Sequence, residues 1–135
     1  MEILVQLTHA PIELSPPAPV GDRIGAWLEF RGLVRGEENG QPIAALEYEA
    51  YSPMAEQTMH RLLTELAAEK PCERAQVVHR VGMVRVGEAA IHVAVGARHR
   101  AEALWLMSAF LDRLKQEVPI WKRRALTASE LSART

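Results

Sequence analysis

The stretch IAALEYEAYSPMAEQTMHRLLTEL, residues 43–66, changes its apolar period halfway along and so decides the fold class. From Ile43 to Tyr51 the side chains alternate, with Leu46, Tyr48 and Ala50 on one face and Glu47, Glu49 and Tyr51 on the other. That is the period of a half-buried strand. After Ser52-Pro53, the apolar residues Ala55, Met59, Leu62, Leu63 and Leu66 recur at three and four, the stripe of a helix with one face on a core. Ser52 is placed to cap that helix and Pro53 to occupy its first position. Pro71 ends it.

Working outward toward the N-terminus, residues 2–7 read as a short strand. Pro11, Pro16, Pro17 and Pro19 make the stretch between Pro11 and Pro19 a loop. Gly25 to Val34 is apolar and aromatic enough for a second strand. Arg35 to Gly40 is a polar, glycine-bearing loop and a candidate mobile segment; its Asn39-Gly40 pair is a hairpin signal that makes residues 43–51 the return strand. Toward the C-terminus, Ala75–Val81 and Ala89–Val95 read as strands, with a short extended piece between Gly82 and Gly87-Glu88. A second helix is expected from about His99 to Val118, its stripe formed by Leu104, Met107, Leu111, Leu114 and Val118, and Pro119 turns the chain out of it. The order β, ββ, α, ββ, α predicts an α+β fold. We expect an antiparallel sheet covered by two main helices in a hammerhead-like arrangement, with residues 1–135 as a single domain.

Composition bounds the function. Of the 135 residues, 48% are hydrophobic and 24% charged, the balance of an ordinary globular protein. No apolar run approaches the ~18 residues of a membrane span. The N-terminus shows no basic leader before an apolar stretch, and the single cysteine, Cys72, suits a reducing compartment, so a cytoplasmic location is expected. A net charge of −1 argues against a general polyanion binder. The basic residues are nevertheless clustered. Arg113, Lys115, Lys122, Arg123 and Arg124 form one group and Arg98-His99-Arg100 another, a distribution that suits a small anion rather than a long one, although such charge runs are more often a solvated surface.

Most chemistries lack their residues. Cys72 is a lone thiol with no partner in sequence to activate it. His9, His60, His79, His92 and His99 show no ligand spacing on one helix, so no metal is expected, and His79 and His92 read as structural or surface residues. Gly32, Gly36 and Gly40 lack the lysine and hydroxyl of a phosphate loop. What remains is cationic. Arg98, His99 and Arg100 stand at a helix N-terminus, which itself favours an anion. Lys115 lies beside the apolar stripe, and Lys122 follows Pro119-Ile120-Trp121, where apolar neighbours could desolvate an amine. On pattern alone both lysines fit snorkelling side chains at the core edge better than they fit catalysts.

Lys115 lies sixteen residues beyond His99, a separation of about 24 Å along one helix. One small ligand cannot touch both. We therefore expect a two-fold dimer that sets His99 and Arg100 of one copy beside Lys115 and Lys122 of the other.

Several segments together resemble the large subunit of molybdopterin synthase, the MoaE family. They are Gly25-Ala26-Trp27-Leu28-Glu29-Phe30-Arg31-Gly32-Leu33-Val34-Arg35, Leu46-Glu47-Tyr48-Glu49-Ala50-Tyr51 with Met54-Ala55, and His79-Arg80-Val81-Gly82 with Val86-Gly87-Glu88. The resemblance continues through His99-Arg100, Ala103 and Asp112-Arg113-Leu114-Lys115 to Pro119-Ile120-Trp121-Lys122. It implies conversion of cyclic pyranopterin monophosphate (precursor Z) to molybdopterin, with no cofactor. Sulfur would come from the C-terminal Gly-Gly thiocarboxylate of a small ubiquitin-like subunit, in a heterotetramer of two large and two small chains. It further implies Lys115 and Lys122 as catalytic residues. Leu33, Val34, Arg35, His99 and Arg100, with both lysines and the adjacent Arg123 and Arg124, would bind substrate. The family commonly carries glutamate two residues after the second lysine, where this chain has Arg124. The alternatives are a non-catalytic scaffold that keeps the fold and partner groove, and a plain anion-binding dimer.

Overall fold

The computed structural model describes residues 1–13 and 21–134; Pro16, Pro17 and Pro19 of the expected proline loop lie outside the described residues. In chain order the elements are β1 (Glu2–Thr8), β2 (Ala26–Leu33), β3 (Glu37–Glu38), β4 (Gln41–Pro42), β5 (Ala45–Ala50), α1 (Met54–Glu69), β6 (Arg74–Arg80), β7 (Gly82–Arg85), β8 (Ala89–Ala97), α2 (Arg100–Glu117), β9 (Ile120–Leu126) and α3 (Ala128–Ser132).

The α+β class stands, with its strands divided among three sheets. A four-stranded sheet runs β1-β6-β8-β2, a three-stranded sheet runs β7-β5-β9, and β3 and β4 form a two-residue ribbon. Among the described residues every pairing is antiparallel except β1 with β6, which run parallel. Both long helices lie on one face of the four-stranded sheet. Ala55, Met59, Leu62, Leu63 and Leu66 of α1 are all buried there, against Val77, Val93 and Val95 of the strands and Leu106 and Phe110 of α2. A smaller core of Val34, Leu46, Val84 and Ala90 joins the two sheets.

Four local expectations need correcting. The Asn39-Gly40 turn does form, with both residues at positive φ (53° and 77°), but its arms are only β3 and β4. Residues 45–50 do not return along β2; β5 pairs with β7 and β9 instead. The expected loop at Arg35–Gly40 is thus in part an ordered ribbon. Ser52 does not cap α1: it precedes the capping Pro53, and its hydroxyl donates to the Glu56 carboxylate at 2.7 Å. The buried stripe of α2 is Ala103, Leu106, Met107 and Phe110, while Leu104 is 55% exposed. Finally, β9 and α3 were not expected. Lys122-Arg123-Arg124 breaks any apolar alternation, yet charged residues suit β9, the edge of its sheet. Thr127 and Glu130 then close a capping box on α3.

Candidate functional site

The two sheets and the C-terminal end of α2 meet in a cleft of about 510 Å³. Phe30, Gly32 and Leu33 come from β2, Tyr48 from β5, His79 from β6, Leu114 and Lys115 from α2, and Trp121 and Lys122 from β9. Two β-bulges shape it. The register of β2 against β8 shifts at Gly32/Leu33, and that of β5 against β9 shifts at Glu47/Tyr48, leaving Arg123 as the extra residue. Bulges re-aim side chains, and both of these fall where the cleft is lined. Gly32 is required by close packing, since a Cβ there would stand 2.8 Å from Ile91 Cγ2.

The two lysines therefore come together, one from a helix and one from a strand. Their surroundings differ. Lys122 Nζ donates to both carboxylate oxygens of Glu38, at 3.2 and 3.3 Å. Lys115 has no hydrogen bond or ion pair among the described residues. His79 is buried on the floor of the cleft, its ring edge-on to Tyr48 with centroids 5.3 Å apart. Its Nδ1 lies 2.7 Å from the main-chain oxygen of Arg80, which can only accept, so Nδ1 carries the proton and Nε2 keeps its lone pair. Burial holds this imidazole below its ordinary range. Burial, and secondarily Glu38, pushes the Tyr48 phenol up.

Leu33 lines the same cleft, 56% exposed. The Val34 side chain is core, its N–H donates to Glu88 O at 3.0 Å and its carbonyl accepts from Gly87 N at 2.9 Å, so both main-chain groups are already paired. Arg35 stands apart, in a shallow surface depression with Gly36, Glu37 and Asn39. His99 and Arg100 lie at the far end of α2 beside Gly25 and Arg98. Within one chain these groups are not assembled into one site. Arg123 and Arg124 also point elsewhere. Arg123 Nε is 3.7 Å and Arg124 Nε 3.5 Å from Glu47 Oε1, on the face of β5 opposite Tyr48, and Arg134 adds a third pairing to Glu47 at 2.9 Å. Arg123 thereby borders a second cleft, of about 600 Å³, with His9, Glu49 and Glu56.

The cleft is also lined by Phe30, Tyr48 and His79, to which sequence reasoning gave no role in the site, and Glu38 meets it from outside through Lys122. Alternation across the Asn39-Gly40 turn was the available signal for Glu38. Nothing local marked His79, whose strand pairs with β1, from the other end of the chain, as well as with β8. The cysteine is no rival nucleophile: burial first, then Glu102 and Glu73, push the Cys72 thiol up to about 11. No cluster of histidine, cysteine and carboxylate suited to a metal occurs among the described residues.

Residues 7–117 match the family described as MoaE protein. The molybdopterin synthase catalytic subunit of Nostoc sp. is 34% identical over 120 residues, 87% of this chain and 73% of the relative. That of Homo sapiens is 41% identical over 99 residues, 73% of this chain but only 53% of the human protein, so the match spans about half its length. The crystal structure of molybdopterin synthase from Staphylococcus aureus superposes with a TM-score of 0.75 at 29% identity, covering 93% of each chain. By sequence and by fold alike, the chain belongs to the MoaE family of molybdopterin synthase catalytic subunits.

Proposed function

We propose that this protein is a sulfurtransferase that converts cyclic pyranopterin monophosphate (precursor Z) to molybdopterin. It would take sulfur from the C-terminal thiocarboxylate of a small ubiquitin-like subunit. The observation that carries this reading is the cleft itself, where an unpaired Lys115 amine faces a space walled by apolar side chains and shared with Lys122. A thiocarboxylate sulfur is already a nucleophile, so the protein need not supply one. It must supply positive charge where negative charge develops, and a route for protons. Lys115 is suited to the first task and the two amines together to the second. Bound substrate and small-subunit tail would cover the apolar walls and displace water, which would strengthen both effects.

Arg35, His99 and Arg100 would hold the phosphate and pterin. His99 and Arg100 would do so from a second copy of the chain, since α2 separates them from Lys115 of their own copy by about 24 Å. We thus read the working assembly as a homodimer carrying two small subunits, with residues 1–135 acting as one unit. The cytoplasm is the proposed compartment, because a free buried cysteine suits a reducing one. The test is reconstitution. Purified protein, thiocarboxylated small subunit and precursor Z are mixed and molybdopterin is assayed; absence of product with a competent donor would overturn the reading.

A further inference from the structure

Glu37 and Glu38 lie next to each other in sequence but serve opposite faces of a ribbon. The Asn39-Gly40 turn sets Glu38 opposite Gln41 and Glu37 opposite Pro42. Positive φ at both turn residues is the geometry that matches the twist of a two-residue hairpin, so the ribbon is built to hold its register. Glu37 is exposed, whereas Glu38 is drawn in, its side chain 24% accessible, and meets Lys122 through both carboxylate oxygens. The two residues are 84 positions apart, so this contact is made by the fold and not by the helix or strand either belongs to. Lys122 is in turn the cross-strand partner of Tyr48. Glu38 thus acts on two residues that line the lysine cleft without lining it itself.

On the reading given above, the two amines have different duties, and Glu38 makes them different. Lysine ends in a compact charge on a stem of four flexible bonds, so an untethered amine must be ordered during the reaction. A carboxylate that accepts from it beforehand removes that ordering from the reacting step. We propose that Glu38 is the positioning residue for Lys122, holding its amine at the cleft mouth while Lys115 stays free to meet the incoming anion. The same carboxylate opposes anion binding in the ground state, because it offsets the charge of Lys122.

These two effects have opposite kinetic signs, which separates them from general damage. Glu38→Gln, assayed with thiocarboxylated small subunit and precursor Z, should lower kcat about tenfold while KM for precursor Z stays level or falls. Glu38→Asp, which keeps the charge, should recover most of the loss, and the melting temperature of both variants should match the parent, as expected for a part-exposed pair. A Glu38→Gln kcat within twofold of the parent, or an aspartate variant as impaired as the glutamine one, overturns the proposal. A second measurement is independent of turnover. Under limiting acetic anhydride, acetylation of Lys122 relative to Lys115, read by peptide mass spectrometry, should rise at least about twofold in Glu38→Gln, because an amine donating to a carboxylate is a poor nucleophile. An unchanged ratio overturns the pairing even if the parent protein makes no molybdopterin. An inactive parent with an altered ratio overturns the proposed function alone and upholds the pairing.

Discussion

His79 donates its Nδ1 proton to the main-chain oxygen of Arg80, its own neighbour in sequence, at 2.7 Å. This short bond turns the ring into the floor of the cleft and fixes its tautomer. The next side chain is fixed as firmly. The Arg80 guanidinium, also buried, donates to Glu88 at 3.1 Å and to the Met83 carbonyl at 2.9 Å. Two adjacent residues of β6 thus brace the seam between the sheets from opposite faces.

The imidazole of His79 should make stability depend on pH. Burial lowers its folded-state value beneath the ordinary 6.5, so the neutral ring is the form that folds best. The unfolded chain then binds more protons, and stability rises with pH. The contribution is full above about 6.5 and is lost as pH falls through that value toward the lower folded one. Glu88 acts in a separate window. The Arg85 main-chain N–H, with help from Arg80, holds it beneath the ordinary 4.5, so its contribution is lost only on further acidification. Melting temperatures between pH 7.5 and 5.5 should therefore fall less steeply for His79→Gln than for the parent; parallel slopes would rule out a buried neutral histidine.

Cys72 should be dispensable for activity and slow to modify. Its thiol is pushed up to about 11, so the thiolate is scarce at neutral pH, and Sγ lies against the Glu102 carbonyl at 3.6 Å. Cys72→Ala should leave turnover within about twofold and cost on the order of 1 kcal/mol of stability. Iodoacetamide at pH 8 should label the native protein far more slowly than the unfolded one. Rapid labelling of the native protein with loss of turnover would return the thiol to the mechanism.

Lys115→Ala should abolish dithiolene formation, with a fall of at least about a hundredfold, the scale of losing one preorganised charge at a reacting centre. The residue is exposed and unpaired, so folding and binding of the small subunit should be little changed. Product yield gives the first readout, and co-elution of the two subunits on gel filtration the second. Near-parental yield would remove Lys115 from the chemistry.

Helix α2 offers a direct test of which stripe is core. Leu106 is fully buried and Leu104 is 55% exposed, although the sequence spacing favours Leu104. Leu106→Ala should cost about 2–5 kcal/mol and Leu104→Ala less than about 1. Urea titrations distinguish them, and equal losses would place both leucines in the core.

That helix illustrates what the sequence could carry. A 3.6-residue period marks a helix clearly, but Leu104, Leu106, Met107, Leu111 and Leu114 populate two overlapping stripes, and only packing chooses between them. In α1, charged residues flank one stripe, and all five expected core residues are buried. The same limit governs the site. Lys115 and Lys122 were legible as candidates, and they line one cleft. His79 reaches it through a strand paired with the distant β1, and Glu38 meets Lys122 only because the fold sets the β3–β4 ribbon beside β9, a placement that no local pattern encodes. Arg123 and Arg124 lie outside that cleft for a related reason, since the bulge in β9 turns both toward Glu47 after Lys122.

Position 124 provides the sharpest check on that last point. Arg124 faces Glu47 across the β5–β9 ladder, with Nε 3.5 Å from Oε1, away from the lysines. Arg124→Glu would set two carboxylates opposite each other, though Arg123 and Arg134 would remain to offset them. The pair is part-exposed, so the expected loss is only about 1 kcal/mol at low salt. It should shrink at about 1 M salt, where the Debye length is only ~3 Å. Turnover should stay within about threefold, because neither residue lines the lysine cleft. A tenfold gain in turnover would mean that a carboxylate at 124 reaches the lysines after all, and that the bulge at Arg123 does not hold its register in the working enzyme.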